Sequence, residues 1–433
     1  MSKIKKSLQR LICAAVCNII YSVYICADVS TLTLSAGKRD NMDFVKRTWA
    51  EISLDAIAHN FKEIKNKIGD RTKLCCVVKA DGYGHGAVEL TQLYEQLGAD
   101  WFAVSNIDEG IELRDAGCRK PILILGYTPV RDAARLAEHD ISQAVFSAEY
   151  GKALSQECRK IGCTVKIHIK ADTGMSRIGF MCQDFPRDDD SIKEIYDTCQ
   201  LPNLEAEGLF THFCVSDETD EGREFTERQY RNFCRVKDSL AELGLKIPLC
   251  HCSNSGAIED YADTYCDMVR AGIILYGLSP SGKLKGRLDL IPAMTLKTSV
   301  AYVKELKKGA TVSYGRTFSA DKDMKIATVP IGYADGYIRA NAKDGYMLIN
   351  GQKAKIVGRI CMDQTMLDVT ELDYVAQGDE VIVFGSGKFG EPTADSLAEN
   401  TGTINYEVVC LVGKRVPRVY FKNGVITEVM YKL

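Results

Sequence analysis

Eight consecutive residues, Val78-Lys79-Ala80-Asp81-Gly82-Tyr83-Gly84-His85, bring an amine, a phenol, an imidazole and two glycines together directly after an apolar run, Leu74 to Val78. The run reads as a buried strand. A lysine at its end is held partly out of water, which disfavours the ammonium and lowers the pKa. A neutral amine condenses with an aldehyde to form an imine. Hydroxyl and backbone donors from a glycine-rich turn lie beside it, so the segment suits a phosphorylated pyridine aldehyde, pyridoxal phosphate. Taken alone it also suits a strand-end lysine whose ammonium snorkels to solvent. The rest of the chain has to decide.

The chain has 433 residues, enough for two or three domains and a large core. Its net charge of −3 and the lack of a dominant basic cluster exclude nucleic acid as a natural partner. The 17 cysteines are scattered, and many sit in apolar runs (Cys75, Cys76, Cys163, Cys214, Cys250, Cys252, Cys410). Their number is odd and no zinc-type pair of CxxC motifs occurs, so no metal site is expected. They read as reduced core thiols in a reducing compartment. The N-terminus pulls the other way: Lys3, Lys5, Lys6 and Arg10 precede a mostly apolar stretch, Leu11 to Ala27. That pattern is a signal peptide, a short anchor, or sequence upstream of a true start at Met42. At 17 residues, interrupted by Asn18 and Ser22, it is short for a membrane span. We read 1–46 as a leader or mis-assigned start and the protein as cytoplasmic, with export or anchoring through 1–27 as the alternative.

From Thr48 onward strand-like and helix-like segments alternate. The strands are expected at 74–79, 101–105, 122–126, 143–146, 164–170, 206–212, 248–253 and 268–276. Amphipathic stretches lie between most of them: Ala87–Leu97, Ile107–Ala116, Ala148–Ile161 and Glu224–Leu243, with an opening helix over Leu54–Ile68. Eight strands alternating with helices predict an α/β fold, a (β/α)8 barrel of the TIM type over 47–290. Beyond about 290 the helical period stops. Short β runs follow (Thr298–Lys304, Lys325–Pro330, Tyr346–Ile349, Lys353–Val357, Glu380–Phe384), with Asn350-Gly351 as a hairpin turn. Residues 291–433 are expected to form a mainly-β domain.

Catalytic groups of a barrel sit at the C-terminal ends of its strands. Strand 1 ends at Lys79 and strand 5 in Lys170-Ala171-Asp172-Thr173-Gly174-Met175-Ser176-Arg177. Strand 6 ends in Thr211-His212-Phe213 and strand 7 in His251-Cys252-Ser253-Asn254-Ser255-Gly256. Strand 8 contains Val269-Arg270-Ala271-Gly272-Ile273. Polar and glycine-rich positions therefore fall where the fold puts a site. A phosphate needs hydroxyls and backbone N–H groups, often after strands 7 and 8. Asn254, Ser255, Gly272 and Ile273 can supply these, with Tyr83 reaching from strand 1. Asn254-Ser255 also reads as a helix N-cap, which is compatible.

These segments, in this order from about Arg47 to the C-terminus, resemble the bacterial alanine racemases, pyridoxal-phosphate enzymes with a barrel and a β domain. The resemblance also covers Gly208–Phe213, Met268–Gly277, Val312–Gly315, Ile331–Gly336 and Gly358–Gln364. It implies that Lys79 is the Schiff-base lysine and one catalytic base. Tyr314 is then the second base, reaching the barrel of the other subunit in a head-to-tail homodimer. Arg177 and the Met362 N–H resemble the groups that hold the substrate carboxylate. Lys170 resembles a lysine often carbamylated to orient Arg177, and His212 a ring linking the tyrosine to Arg270, which faces the cofactor ring. Tyr333 and Arg339 resemble entrance residues, with Asp363 in support. The implied activity is interconversion of L- and D-alanine by two-base proton transfer, supplying D-alanine for peptidoglycan. Singly, Tyr314 could be a surface tyrosine, His212 a satisfied core histidine and Arg270 a buried ion-pair partner. Where Lys414 stands some members have a tyrosine near the phosphate, so a wider pocket that also admits serine is an expectation. A serine or broad-specificity racemase is the main alternative. A basic amino-acid decarboxylase would be expected to place an acid where Arg270 stands, and single-barrel pyridoxal-phosphate-binding proteins lack Tyr314 and Met362.

Overall fold

Eight short parallel strands, buried on both faces, carry the N-terminal half: Lys73–Val77, Trp101–Val104, Ile122–Ile124, Ile141–Val145, Val165–Asp172, Leu204–Phe210, Leu249–His251 and Met268–Ala271. The computed structural model describes residues 44–432, so the leader read at 1–46 lies almost wholly outside the described residues. The strands pair in chain order, and the last pairs back onto the first, Met268 opposite Lys73. Between the seventh and eighth, Asp267 N donates to the Cys250 carbonyl (3.1 Å) and Arg270 N to the Ser253 carbonyl (2.9 Å). The circle therefore closes as a (β/α)8 barrel. Near-continuous apolar runs are what strands covered on both faces require; Leu74, Cys75 and Cys76 are all fully buried.

The helices start where side chains can take up their free N–H groups. Ser53 caps Leu54–Ile68 through Ala56 N (3.1 Å), Asn106 caps Ile107–Asp115 through Glu109 N (3.0 Å), and Ser147 caps Ala148–Ile161 through Tyr150 N (3.1 Å). Ala87–Leu97 also forms as expected. The helix read from Glu224 starts earlier, at Asp220. The strand read through 276 stops at Ala271, because Gly272 turns the chain into a 3-10 segment, Ile273–Tyr276.

The C-terminal half is mainly β, in a ten-stranded sheet. Its hairpin turns at Asn350 (φ 50°) and Gly351 (φ 76°), with Ile349 opposite Gln352, as the Asn-Gly pair requires. Two features escaped the sequence. The run Thr298–Lys304 is two strands, Met294–Ser299 and Tyr302–Leu306, broken where Val300 N turns to the Asp379 carbonyl (2.8 Å). A strand at Thr48–Ser53, ahead of the barrel in sequence, pairs within the C-terminal sheet between Met294–Ser299 and Arg418–Lys422.

Lys79 does not end the first barrel strand but lies two residues past it, at the head of a left-handed turn. Ala80 (φ 52°, ψ 48°), Asp81 (φ 55°, ψ 48°), Gly82 (φ 60°, ψ 43°) and Tyr83 (φ 52°) all occupy the left-handed region. Each non-glycine there costs about 1 kcal/mol or more, so the turn must be held from outside. Asp81 accepts from Ala87 N (2.9 Å) and pairs with Lys432. Tyr420 donates to the His85 carbonyl (3.0 Å). The buried Arg418 donates through Nε to the Gly84 carbonyl (2.9 Å) and to the carbonyls of Val412 (2.7 Å), Gly413 (2.7 Å) and Val416 (2.6 Å). Gly84 must lack a side chain, since a Cβ there would sit 2.3 Å from the Val409 carbonyl oxygen.

Arg418→Met fills similar space but strands four carbonyls, three of them buried. We expect a loss of about 3–5 kcal/mol, read as a large drop in Tm. A Tm within a degree or two of the parent would show that the turn is held otherwise.

Candidate active site

A cavity of about 820 Å3 opens at the C-terminal ends of the barrel strands. Lys79, Tyr83, Lys170, Arg177, His212, Asn254, Ser255, Arg270, Gly272 and Ile273 all line it. Ten of the sequence-derived candidates thus converge on one space from five strands and the turns after them.

The cavity is rich in cationic side chains. Burial, then the Arg177 charge, lowers the pKa of the Lys79 amine. Lys170 is buried with its Nζ 4.7 Å from the Phe210 ring centroid, and burial followed by Arg270 and Arg177 holds it well below the ordinary range. His212 is held neutral by burial and by Lys170 and Arg270. Any cationic influence on a neighbouring group therefore comes from Arg270 rather than from this ring. The arrangement calls for an anion.

Donors for one line the same cavity. Gly272 N donates to Ser255 Oγ (2.9 Å), and a Cβ on Gly272 would lie 2.9 Å from the Tyr83 hydroxyl. This is a cradle only glycine leaves open. Asn254 lines the cavity, but its side chain is occupied: Oδ1 caps Ala257 N (3.1 Å) and accepts from Ser216 (2.7 Å), and Nδ2 donates to the Phe213 carbonyl (3.1 Å). The N-cap reading of Asn254 is thus realised, and Ser255 faces the cavity from the helix it starts.

Arg270 continues into the barrel interior through a chain the sequence did not reveal. Its Nη1 donates to His251 Nδ1 (2.8 Å), His251 Nε2 meets His168 Nδ1 (2.9 Å), and His168 Nε2 meets Glu207 (3.3 Å). Arginine can only donate. Each ring therefore accepts on Nδ1 and donates from Nε2, and the last donation ends on the Glu207 carboxylate. Burial opposes that charge, but the hydrogen bonds from His168 and Ser142 overcome it and lower the Glu207 pKa. Arg270 also donates to the carbonyls of Thr211 (2.8 Å) and Cys252 (3.0 Å) and approaches His212 Nδ1 (3.3 Å). Its plane is fixed on all sides.

The remaining candidates lie elsewhere. Tyr314 is 70% exposed and Met362 53% exposed. With Asp363 they line a separate cavity of about 520 Å3 on the β domain, which shares no residue with the first. Tyr333 and Arg339 are also exposed. Fully buried Asp335 ties this region together, accepting from Arg47 (3.0 Å), Arg415 (2.8 Å) and Gly332 N (3.0 Å), while Arg415 also holds Asp363 (2.7 Å). Tyr333 N and Ala334 N donate to the carbonyls of Cys361 (3.2 Å) and Met362 (3.0 Å), which ties the two loops together.

Tyr406 and Cys410 line the Lys79 cavity and were not singled out. The Tyr406 ring lies 6.1 Å from that of Tyr83. Tyr406 stands in the run Asn405-Tyr406-Glu407, whereas Lys414 does not line this cavity. The expected widening at Lys414 therefore loses its basis, because Tyr406 supplies a ring.

Residues 52–280 match the alanine racemase N-terminal domain and 293–420 the alanine racemase C-terminal domain. The chain belongs to the alanine racemase family. The alanine racemase of Clostridium perfringens is 48% identical over 386 residues, 89% of this chain and 98% of that protein. Among solved structures, the alanine racemase of Clostridium difficile superposes with a TM-score of 0.85 at 42% identity, covering 90% of this chain and all (100%) of that one. The Bacillus anthracis alanine racemase with bound L-Ala-P gives a TM-score of 0.84 at 36% identity, covering 90% and 98%.

One buried carboxyl on the helix that Ser255 starts has no partner. Both oxygens of Glu259, on the Ser255–Asp260 helix, are buried without hydrogen bonds, and burial raises its pKa to about 8. Arg223 and Arg287 pair with Asp260 instead. The folded state keeps a proton that the unfolded chain loses above about 4.5. Its contribution is therefore complete below that pH and is lost as pH rises towards 8. Glu259→Gln should raise Tm over the parent, with little gain at about pH 5 and most at about pH 8.5, on the order of 2 kcal/mol. Melting curves at both pH values check this, and an equal gain at both would assign the effect to packing.

Proposed function

We propose that this chain is an alanine racemase that binds pyridoxal phosphate at the barrel mouth and moves the substrate Cα proton between Lys79 and the Tyr314 of a second copy. The family supports the activity. The observation that carries the finer reading is the division of the candidates between two cavities: Lys79 in one, Tyr314 and Met362 in the other. Racemisation needs a base on each face of one carbon, so two copies that exchange these surfaces complete two sites by one symmetric contact.

The cation-rich cavity and the Gly272 cradle fit the cofactor. Tyr83, Ser255 and the backbone of Gly272 and Ile273 would hold its phosphate, and Arg270 would face its ring. Bound there, the cofactor would withdraw electron density from the substrate Cα and acidify its hydrogen. Lys79 has a lowered pKa from burial and Arg177, so its amine can take that proton on one face. The Tyr314 hydroxyl of the second copy supplies a proton on the other. Arg177 binds the substrate carboxylate, joined by the partner's Met362 N–H. Lys170, whose amine is biased to the neutral form by burial and by Arg270, is a candidate for carbamylation; the resulting anion would orient Arg177. Arg270 stays a donor because its acceptors are carbonyls and neutral rings. Tyr333, Arg339 and Asp363 border the route in. Tyr406 narrows the cavity and favours alanine over serine. The product would supply D-alanine for peptidoglycan. A cytoplasmic setting is supported by the many free thiols, including seven that are buried, and among the described residues no helix is long and apolar enough to cross a membrane.

Loaded with pyridoxal phosphate, the full chain should be yellow and interconvert L- and D-alanine much faster than serine. Lys79→Ala and Tyr314→Phe should each lower kcat by roughly a thousandfold. Refolding the two inactive variants together should restore about a quarter of parental activity, because half the dimers then hold one intact site. No recovery would place both bases on one copy, and equal turnover of serine would reassign the substrate.

A further inference from the structure

Four cysteines gather on the barrel flank, away from the Lys79 cavity: Cys234 on the Asp220–Glu242 helix, Cys250 and Cys252 at the end of the seventh strand, and Cys266 before the eighth. The closest pair is Cys252 and Cys266, with sulfurs 3.7 Å apart. Cys252 is fully buried, its sulfur within reach of the Thr264 carbonyl (2.9 Å) as well as of Cys266, while Cys266 is half-buried and sits in the left-handed region, φ 53°. One thiol is thus reachable and the other held against it.

The two are chemically unlike. The Cys266 pKa is lowered, chiefly by hydrogen bonding from Cys252, against its own burial, and further by Tyr230 and Lys237; burial raises that of Cys252. Thiolate character selects the attacking sulfur. The pair also spans a meaningful piece of chain. Residues 252–266 enclose Ser255 and the helix it starts, the Cys252 carbonyl accepts from Arg270 (3.0 Å), and Ser253 Oγ bonds the Thr264 carbonyl (2.7 Å).

We propose that Cys252 and Cys266 are an oxidisable dithiol that closes to an intrachain disulfide under hydroperoxide and staples the segment carrying Ser255. The Cys266 thiolate attacks the terminal oxygen of the hydroperoxide. The O–O bond breaks, and the leaving hydroxide, or alkoxide, takes up a proton, leaving a sulfenic acid on Cys266. The Cys252 sulfur then attacks the Cys266 sulfur. The S–O bond breaks and hydroxide leaves as water with the Cys252 proton. With hydrogen peroxide, two thiols and one peroxide give one disulfide and two waters, a two-electron oxidation. The sulfurs must close from 3.7 Å to about 2.05 Å, and Cys252 gives up its contact with the Thr264 carbonyl.

The test uses the full-length chain loaded with cofactor and treated with graded hydrogen peroxide, then alkylated and mapped without reduction. The expected result is a mass loss of about 2 Da, a peptide pair joined through Cys252 and Cys266, and a higher Tm that dithiothreitol reverses. Cys266→Ser and, separately, Cys252→Ala should abolish both the link and the Tm gain. A Cys234–Cys266 link, sulfinic acid at Cys266 with Cys252 still free, or oxidation confined to the exposed Cys410 would each overturn the assignment.

Discussion

A buried arginine that meets no carboxylate governs much of this molecule. Arg418 gives its hydrogen bonds to four backbone carbonyls, one on the left-handed turn after Lys79 and three on the segment that leads into its own strand. Placing a guanidinium out of water is costly unless its donors are used. Here they are used to fasten a backbone conformation that L-residues resist. The turn that carries Lys79 is therefore held by the far end of the chain, more than three hundred residues away in sequence. Barrel and β domain cannot be treated as independent parts, a point reinforced by the strand at Thr48–Ser53 that belongs to the C-terminal sheet.

Electrostatics in the cavity follow from the same economy of partners. Lys79, Lys170, Arg177 and Arg270 share one space, and the two arginines depress the tendency of the two lysines to carry charge. Burial reinforces this, so the amines are biased towards the neutral form that nucleophilic and proton-transfer chemistry needs. Arg270 keeps its charge and a fixed direction because a chain of neutral rings leads inward to Glu207. That chain has one proton arrangement. It makes Arg270 a rigid donor instead of a mobile counter-ion.

Much of the fold was legible in the primary structure. The eight barrel strands and the helices at 54–68, 87–97 and 148–161 follow from apolar period, capping residues and length, which are local properties. The Asn350-Gly351 hairpin follows from two residues that tolerate positive φ. What was misread has a common cause. The strand at Thr48–Ser53 and the break at Val300 are set by partners hundreds or dozens of residues away, and periodicity contains no record of them. Lys79 was read as the end of a strand because its left-handed turn is imposed by Arg418, Tyr420 and Lys432.

The sequence by itself determined the family, the barrel, and the motifs at the strand ends, because residue type and order at short range specify strands, caps and chemistry. Only the tertiary structure decided which candidates share a space. It gathered nine others around Lys79, left Tyr314 and Met362 on a separate exposed surface, replaced Lys414 by Tyr406 at the cavity wall, and gave the side chain of Asn254 to a helix cap. It also set the inner His251–His168–Glu207 chain and the closeness of Cys252 to Cys266. The reason is physical: proximity, burial and hydrogen-bond direction depend on how strands from across the chain close into one barrel, and no short stretch of residues carries that information.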